Sequence, residues 1–260
     1  MTGLQYDKAA TEQLEAIYKT PDVAGQRART ITLLAPKPGE AILDIGSGPG
    51  FLCTEIAAKV GATGKVRGID ISPVMVQRST ERNPESWISF AVGDATKLEE
   101  ADASYDAVVS IQVAEYVPDI AKFCREALRV LKPGGRALIM ATDWDAIAWY
   151  SRDPARMQRV MSAFAPHCAD SALPRTLGKR LTEAGFTVGR VTPYPIFNTA
   201  WNDDSYSCRV INFIASYVRR QKTVPEAELE AWAAEQVELG KSGDYYFLST
   251  RVFFEAVKPQ

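Results

Sequence analysis

Apolar residues recur along the chain in two alternating rhythms. Short apolar runs at 41–45 (AILDI), 65–71 (KVRGIDI), 88–95 (ISFAVGDA), 105–111 (YDAVVSI) and 136–144 (RALIMATDW) predict buried strands. Between them, FLCTEIAAKV, SPVMVQRSTERN and DIAKFCREALRVLK (119–132) show helical spacing. Ser72 before Pro73 reads as an N-cap followed by the first helical position, and Gly134-Gly135 as a helix C-cap. Strand and helix in strict alternation predict βαβ units and a parallel sheet covered on both faces. Residues 1–35 read as helical, with a break near KTPDVAG. Beyond residue 145 the rhythm changes: RDPARMQRVMSAFA and LPRTLGKRLTEAG read as helices and FTVGRVTP as a strand. Helical stretches near 203–220 and 225–240 then precede a final strand, YFLSTRVFFEAV. The last two strands are expected to form one edge of the same sheet, with helices inserted between them. The whole of 1–260 then reads as one domain: a helical cover (1–35), a core (36–145), and the rest of the sheet with an elaborated cap (146–260).

Composition narrows the class without changing this picture. Thirty Lys and Arg stand against 32 acids, for a formal net charge of −2, and the longest basic run is Arg219-Arg220-Gln221-Lys222. That balance argues against nucleic acid as a partner. Cys53, Cys124, Cys168 and Cys208 are scattered, without a CxxC pair, and read as reduced thiols of a cytoplasmic protein. No apolar run reaches membrane-spanning length, and no clustered His, Cys or acid spacing suggests a metal.

The first strand ends in Gly46-Ser47-Gly48-Pro49-Gly50, where an open α/β sheet places its ligand. A dinucleotide site wants GxGxxG, but Phe51 stands where its third glycine would be. What remains is GxGxG, with Asp44 two positions ahead. LDIGSGPG resembles the nucleoside loop of S-adenosylmethionine-dependent methyltransferases with the Rossmann-like fold. Asp70 at the end of the second strand, Gly93-Asp94-Ala95 at the third and Ser110-Ile111-Gln112 at the fourth fit the same family. LKPGGRALI and LTEAGF are similar to its small-molecule and quinone-modifying branch (methyltransferase type 11). The resemblance is firm over about residues 40–142.

The resemblance implies a seven-stranded, mostly parallel sheet with an antiparallel last strand. It implies S-adenosylmethionine as cofactor, held by Asp44, Gly46, Ser47, Gly48, Asp70, Ile71, Met75, Gly93, Asp94, Ala95, Ile111 and Gln112. It places Asp70 on the ribose hydroxyls and Asp94 near the adenine amino group. Tyr18 and Arg27 belong to a segment able to fold over the cofactor, with Arg27 on the methionine carboxylate or simply on a helix surface. Asp44 either meets the ligand or orients the loop amides, and Met75 packs on adenine or in the core.

Methyl transfer is largely a matter of positioning and desolvation, and a general base is needed only for an acceptor that must lose a proton. Asp143 and His167 are the candidates. Asp143 is alternatively an N-cap, and His167, the sole histidine, alternatively a loop or capping residue. Aromatic residues crowd the second half of the chain. Tyr116, Trp144, Trp201 and Tyr246 are candidate walls for an aromatic or apolar small-molecule acceptor. The inserted helices read as a lid or as a homodimer interface. A nucleotide-linked oxidoreductase, a cofactor-binding protein without chemistry, and a methyltransferase acting on protein or nucleic acid are the other readings. SIQVAEY stands where base-methylating enzymes carry an NPPY-type motif.

Overall fold

A computed structural model of the chain describes residues 8–260, so the start of the helical reading of 1–35 lies outside the described residues. That cover is two helices, α1 (Lys8–Tyr18) and α2 (Pro21–Leu34). They part at Thr20, whose hydroxyl accepts from the Val23 amide as an N-cap, with Pro21 at the first helical position. Strands β1 (Ala41–Ile45), β2 (Lys65–Asp70), β3 (Ile88–Val92) and β4 (Tyr105–Ile111) follow. Helices α3 (Phe51–Val60) and α4 (Pro73–Arg82) alternate with them, and α5 (Ile120–Val130) comes after β4. Ser72 caps α4 as its sequence implies, accepting from the Met75 amide.

The chain continues through β5 (Leu131–Trp149), α6 (Pro154–Phe164), α7 (Pro174–Glu183), β6 (Thr187–Asn198), α8 (Tyr206–Gln221), α9 (Glu226–Ser242) and β7 (Phe247–Val257). The sheet order is β3-β2-β1-β4-β5-β7-β6. β1 to β5 pair in parallel, and β7 runs antiparallel to both β5 and β6. This is the expected seven-stranded sheet, with the last two strands at one edge and α8 and α9 inserted between them.

Three details differ from the sequence reading. β5 runs past residue 144 to Trp149, because β7 supplies a partner for it there through a bulge between Asp143 and Ala148. β6 continues through Pro193 and Pro195, which an edge strand tolerates because one side of its ladder is free. Gly134-Gly135 do not cap α5. They lie within the first residues of β5, where its register against β4 shifts and the Gly134 amide donates to the Lys258 carbonyl.

One sheet face packs Ile42, Val66, Val109, Met140 and Phe253 with Leu34 of α2 and Ile56 of α3. The other packs Leu43, Val108, Ile139 and Phe254 with Phe123 of α5 and Leu177 of α7. A third cluster joins the extended end of β5 to α6, α8 and α9 through Trp149, Val160, Ile214 and Trp232. No helix among the described residues is long and apolar enough to cross a membrane.

Candidate active site

The strand order reverses between β1 and β4, and the glycine loop sits at that switch point. The Gly46 and Ser47 amides both donate to the Ile69 carbonyl at 2.7 and 3.0 Å, turning the chain sharply back over β2. Gly46 has φ +78°, and a Cβ there would lie 2.1 Å from Cγ2 of Val113. Its lack of a side chain admits the loop after β4. Gly48 has φ +51°, and its nearest neighbour would be the Tyr18 hydroxyl at 3.5 Å, across open space.

Asp70 ties the loop to the next strand end. One carboxylate oxygen accepts from the Gly48 amide at 2.9 Å, the other from the Ser72 amide at 2.8 Å. Burial raises its pKa, and these two N–H groups act against that shift. Asp94 accepts from the amide and hydroxyl of Thr96 through one oxygen. Gln112 holds a left-handed backbone at φ +58°, a conformation a side chain adopts only at a cost. Its amide donates to Met140, and its side-chain Nε2 donates to the Thr142 hydroxyl at 3.1 Å.

Together these strand ends enclose a cavity of about 400 Å³. Gly46, Gly48, Asp70, Ile71, Met75, Gly93, Asp94, Ala95 and Gln112 line it, as does Tyr116. Tyr18 and Leu14 of α1 cover it. Met75 is both buried and part of the wall. A smaller pocket of about 70 Å³ shares Leu14, Tyr18, Gln112 and Tyr116 with the first. It adds Ile17, Val23, Trp144, and one face of α8: Tyr206, Val210 and Phe213.

Phe51, the residue that breaks the dinucleotide pattern, anchors this cover. Its ring carries the Arg82 guanidinium at 3.9 Å and that of Arg27 at 5.2 Å, and stacks with Tyr18 at 6.0 Å. Arg82 in turn pairs with Glu15 of α1 at 3.1 Å.

Residues 43–139 match the methyltransferase domain family. A Streptomyces fradiae transposon protein of uncharacterized function is 31% identical over 204 residues, 74% of this chain and 57% of its own length. The 2-methyl-6-phytyl-1,4-hydroquinone methyltransferase of Synechocystis is 41% identical over 109 residues, 42% of this chain and 33% of that one. The chain thus spans between a third and three-fifths of these relatives. Among solved structures, a phosphoethanolamine N-methyltransferase of Haemonchus contortus, complexed with S-adenosylhomocysteine, shares the fold. Its TM-score is 0.64 at 21% identity, covering 98% of this chain and 58% of that one.

Not every residue singled out from the sequence borders the larger cavity. Asp44 lies beneath the loop, buried, and accepts from the Cys53 thiol at 3.3 Å. Burial pushes its carboxyl up to about 7. Ser47 is buried with its hydroxyl unpartnered among the described residues, and Ile111 packs against the α2–α3 side of the sheet. Arg27 does not face the cavity: it pairs with Glu55 at 2.8 Å and donates to the Tyr18 carbonyl.

Neither candidate base stands free at the pocket. Asp143 neither caps a helix nor borders either cavity, because β5 continues past it. Its carboxylate is held bidentately by Arg175, at 2.8 and 2.9 Å. His167 stacks on Phe164 at 3.7 Å, and its Nδ1 donates to the Phe164 carbonyl. Burial lowers its pKa to about 4, leaving a neutral ring at neutral pH. Trp201 packs edge-on against Tyr245, and Tyr246 against Phe197, both away from the pocket. Leu14, Ile17 and Val23 were not anticipated as walls, whereas Tyr206, Val210 and Phe213 lie on the helical stretch near 203–220 that was expected to form the cap. The spacing of Tyr206, Val210 and Phe213 on one helical face was the available signal.

Proposed function

We propose that the chain transfers a methyl group from S-adenosylmethionine to a small-molecule acceptor, aromatic or otherwise apolar. The observation that carries this reading is the pair of adjoining cavities: one built around strand ends that carry Asp70 and Asp94, and an aromatic-walled one beside it. The residues present fit the cofactor. Asp70 offers a partly buried carboxylate to vicinal hydroxyls, Gly48 leaves its space open, and Ile71 and Met75 supply apolar faces for a base. When bound, the cofactor supplies a methyl group on a sulfonium, already electrophilic.

The chain's own work is then positioning and exclusion of water. Gln112 and Tyr116 border both cavities and fix where they meet, while Tyr18 and Leu14 close them from above. The named relatives support a small-molecule acceptor, since their names include a hydroquinone and an arsenite methyltransferase. Calorimetry tests the reading. S-adenosylmethionine and S-adenosylhomocysteine are expected to bind at micromolar affinity and NAD not to bind. Equal or tighter binding of NAD would overturn it.

A further inference from the structure

Arg251 of β7 is wholly buried, yet it has no carboxylate within ion-pair distance among the described residues. Its Nη1 donates to the Gln26 side chain, and its guanidinium lies over the Tyr206 ring at 4.5 Å. Its Nε and Nη2 find no hydrogen-bond partner. A buried cation left in that state is costly, because nothing replaces the water it gave up.

Its surroundings locate that charge. Arg251 sits opposite Thr142 in the β5–β7 ladder, and the Thr142 hydroxyl accepts from Gln112. Gln112 and Tyr206 are both walls of the smaller pocket, as is Val23 of α2, three residues before Gln26. The charge also reaches the Tyr18 phenol, another wall of that pocket, where Asp70 and Asp44 act against it from the side of the larger cavity, and the Tyr194 phenol of β6. Two acids stand nearby. Asp22 is taken up by the Tyr206 amide at 2.7 Å and by Asn198. Glu115 accepts from the Thr142 amide through one oxygen, and burial raises its carboxyl to about 7, which weakens it as a counter-charge at neutral pH. The pocket therefore rests against a positive charge that no side chain fully neutralises, and its other walls, Trp144, Tyr116 and Phe213, suit a flat ring.

We propose that this pocket takes its acceptor as an oxyanion, an ionised phenol or enol, whose charge Arg251 balances from behind the Tyr206–Gln112 wall. This rests on the methyltransferase reading and names its substrate class. The hydroxyl proton goes to water on binding. The oxyanion's electron pair forms the new O–C bond, the pair of the broken C–S bond stays on sulfur, and the two opposite charges cancel. No side-chain base is then required, which agrees with Asp143 held by Arg175 and with the neutral, buried His167.

The probe is 4-nitrophenol, whose two protonation states differ in colour, titrated from pH 5 to 9 against the protein saturated with S-adenosylhomocysteine. The expected result is at least tenfold tighter binding of the phenolate than of the phenol. Arg251→Gln should abolish that preference while holding S-adenosylhomocysteine affinity within twofold, and Arg251→Lys should restore part of it. Should Arg251→Gln not fold, the parent's own titration and Arg251→Lys decide the matter. Equal or tighter binding of the neutral phenol, or no saturable binding of either form, overturns the proposal. So does an Arg251→Gln variant that keeps the phenolate preference but loses cofactor affinity, since the charge would then serve the cofactor. Failure of the parent to bind S-adenosylhomocysteine would instead overturn the methyltransferase reading.

Discussion

The two adjoining cavities are built in opposite ways. The larger is made almost entirely of strand ends. Asp70 ends its strand, Gly46, Gly93 and Gln112 come directly after theirs, Gly48 and Asp94 follow within three residues, and backbone hydrogen bonds hold the glycine loop after β1 against β2. The smaller is made of side chains from α1, α2, the segment after β4, β5 and α8, stretches almost 200 residues apart, and is apolar apart from Gln112 and four aromatic polar groups. The first is a property of the sheet and the second of the cap. On the proposed function, binding of the cofactor and choice of acceptor would sit on separable sets of residues, and substitutions should divide along the same line.

The largest expected effect is on the sheet side. Gly48→Val puts branched carbons at a positive φ and toward the Tyr18 hydroxyl, and should abolish measurable S-adenosylhomocysteine binding by calorimetry. An unchanged circular dichroism spectrum would show that the fold survives. Next, Asp70→Ala removes the carboxylate offered to the ribose and frees the Gly48 and Ser72 amides, at a cost of about 2–4 kcal/mol in cofactor affinity. Parent-like binding by either variant would break the assignment of the larger cavity.

On the cap side the pattern should invert. Phe213→Ala and Trp144→Ala are expected to hold cofactor affinity within about threefold, near 0.7 kcal/mol, and to reduce methyl uptake by phenol and quinol acceptors at least tenfold. Trp201→Ala and Tyr246→Ala, away from both cavities, should leave uptake unchanged. A loss of turnover in the second pair without loss in the first would move the acceptor site elsewhere.

The smallest effect concerns the acid between the two regions. Burial raises Glu115 from 4.5 to about 7. The folded protein therefore holds this proton more tightly than the unfolded chain, and the associated stability is lost as pH rises through that interval. Glu115→Gln removes the dependence. The melting temperature of the variant relative to the parent should climb steadily between pH 5 and pH 7, and a falling difference would contradict the raised carboxyl.

How much was legible beforehand follows the same division. The strands, the glycine loop and the acids at its neighbouring strand ends were readable because each signal is local: an apolar run, a positive φ, a residue following its strand. Asp143 was placed at a strand terminus, which is true only while β5 ends at 144. β7, a hundred residues later, pairs with β5 and carries it to Trp149, leaving Asp143 inside the strand beside Arg175. Arg27 was on the correct helix, but its partner Glu55 comes from α3, and no spacing announces that. The cap was recognised as aromatic. Which of its rings face inward depends on how α8 docks against α1, a tertiary fact that composition does not encode.

The shared cover has a kinetic consequence. Leu14 and Tyr18 wall both cavities, and α1 is fastened at its far side by Glu15 to Arg82, which itself lies on the Phe51 ring. The two compartments accordingly share a cover, and α1 is proposed to act as their common door. Any excursion of α1 that lets one occupant leave also exposes the other, so their residence times are linked even though their contacts are not. An acceptor that packs well against Leu14 and Tyr18 holds the door shut and slows exchange of the spent nucleoside behind it. Turnover would then fall at high acceptor concentration, a form of self-inhibition that arises from the shared cover and not from competition for a common site.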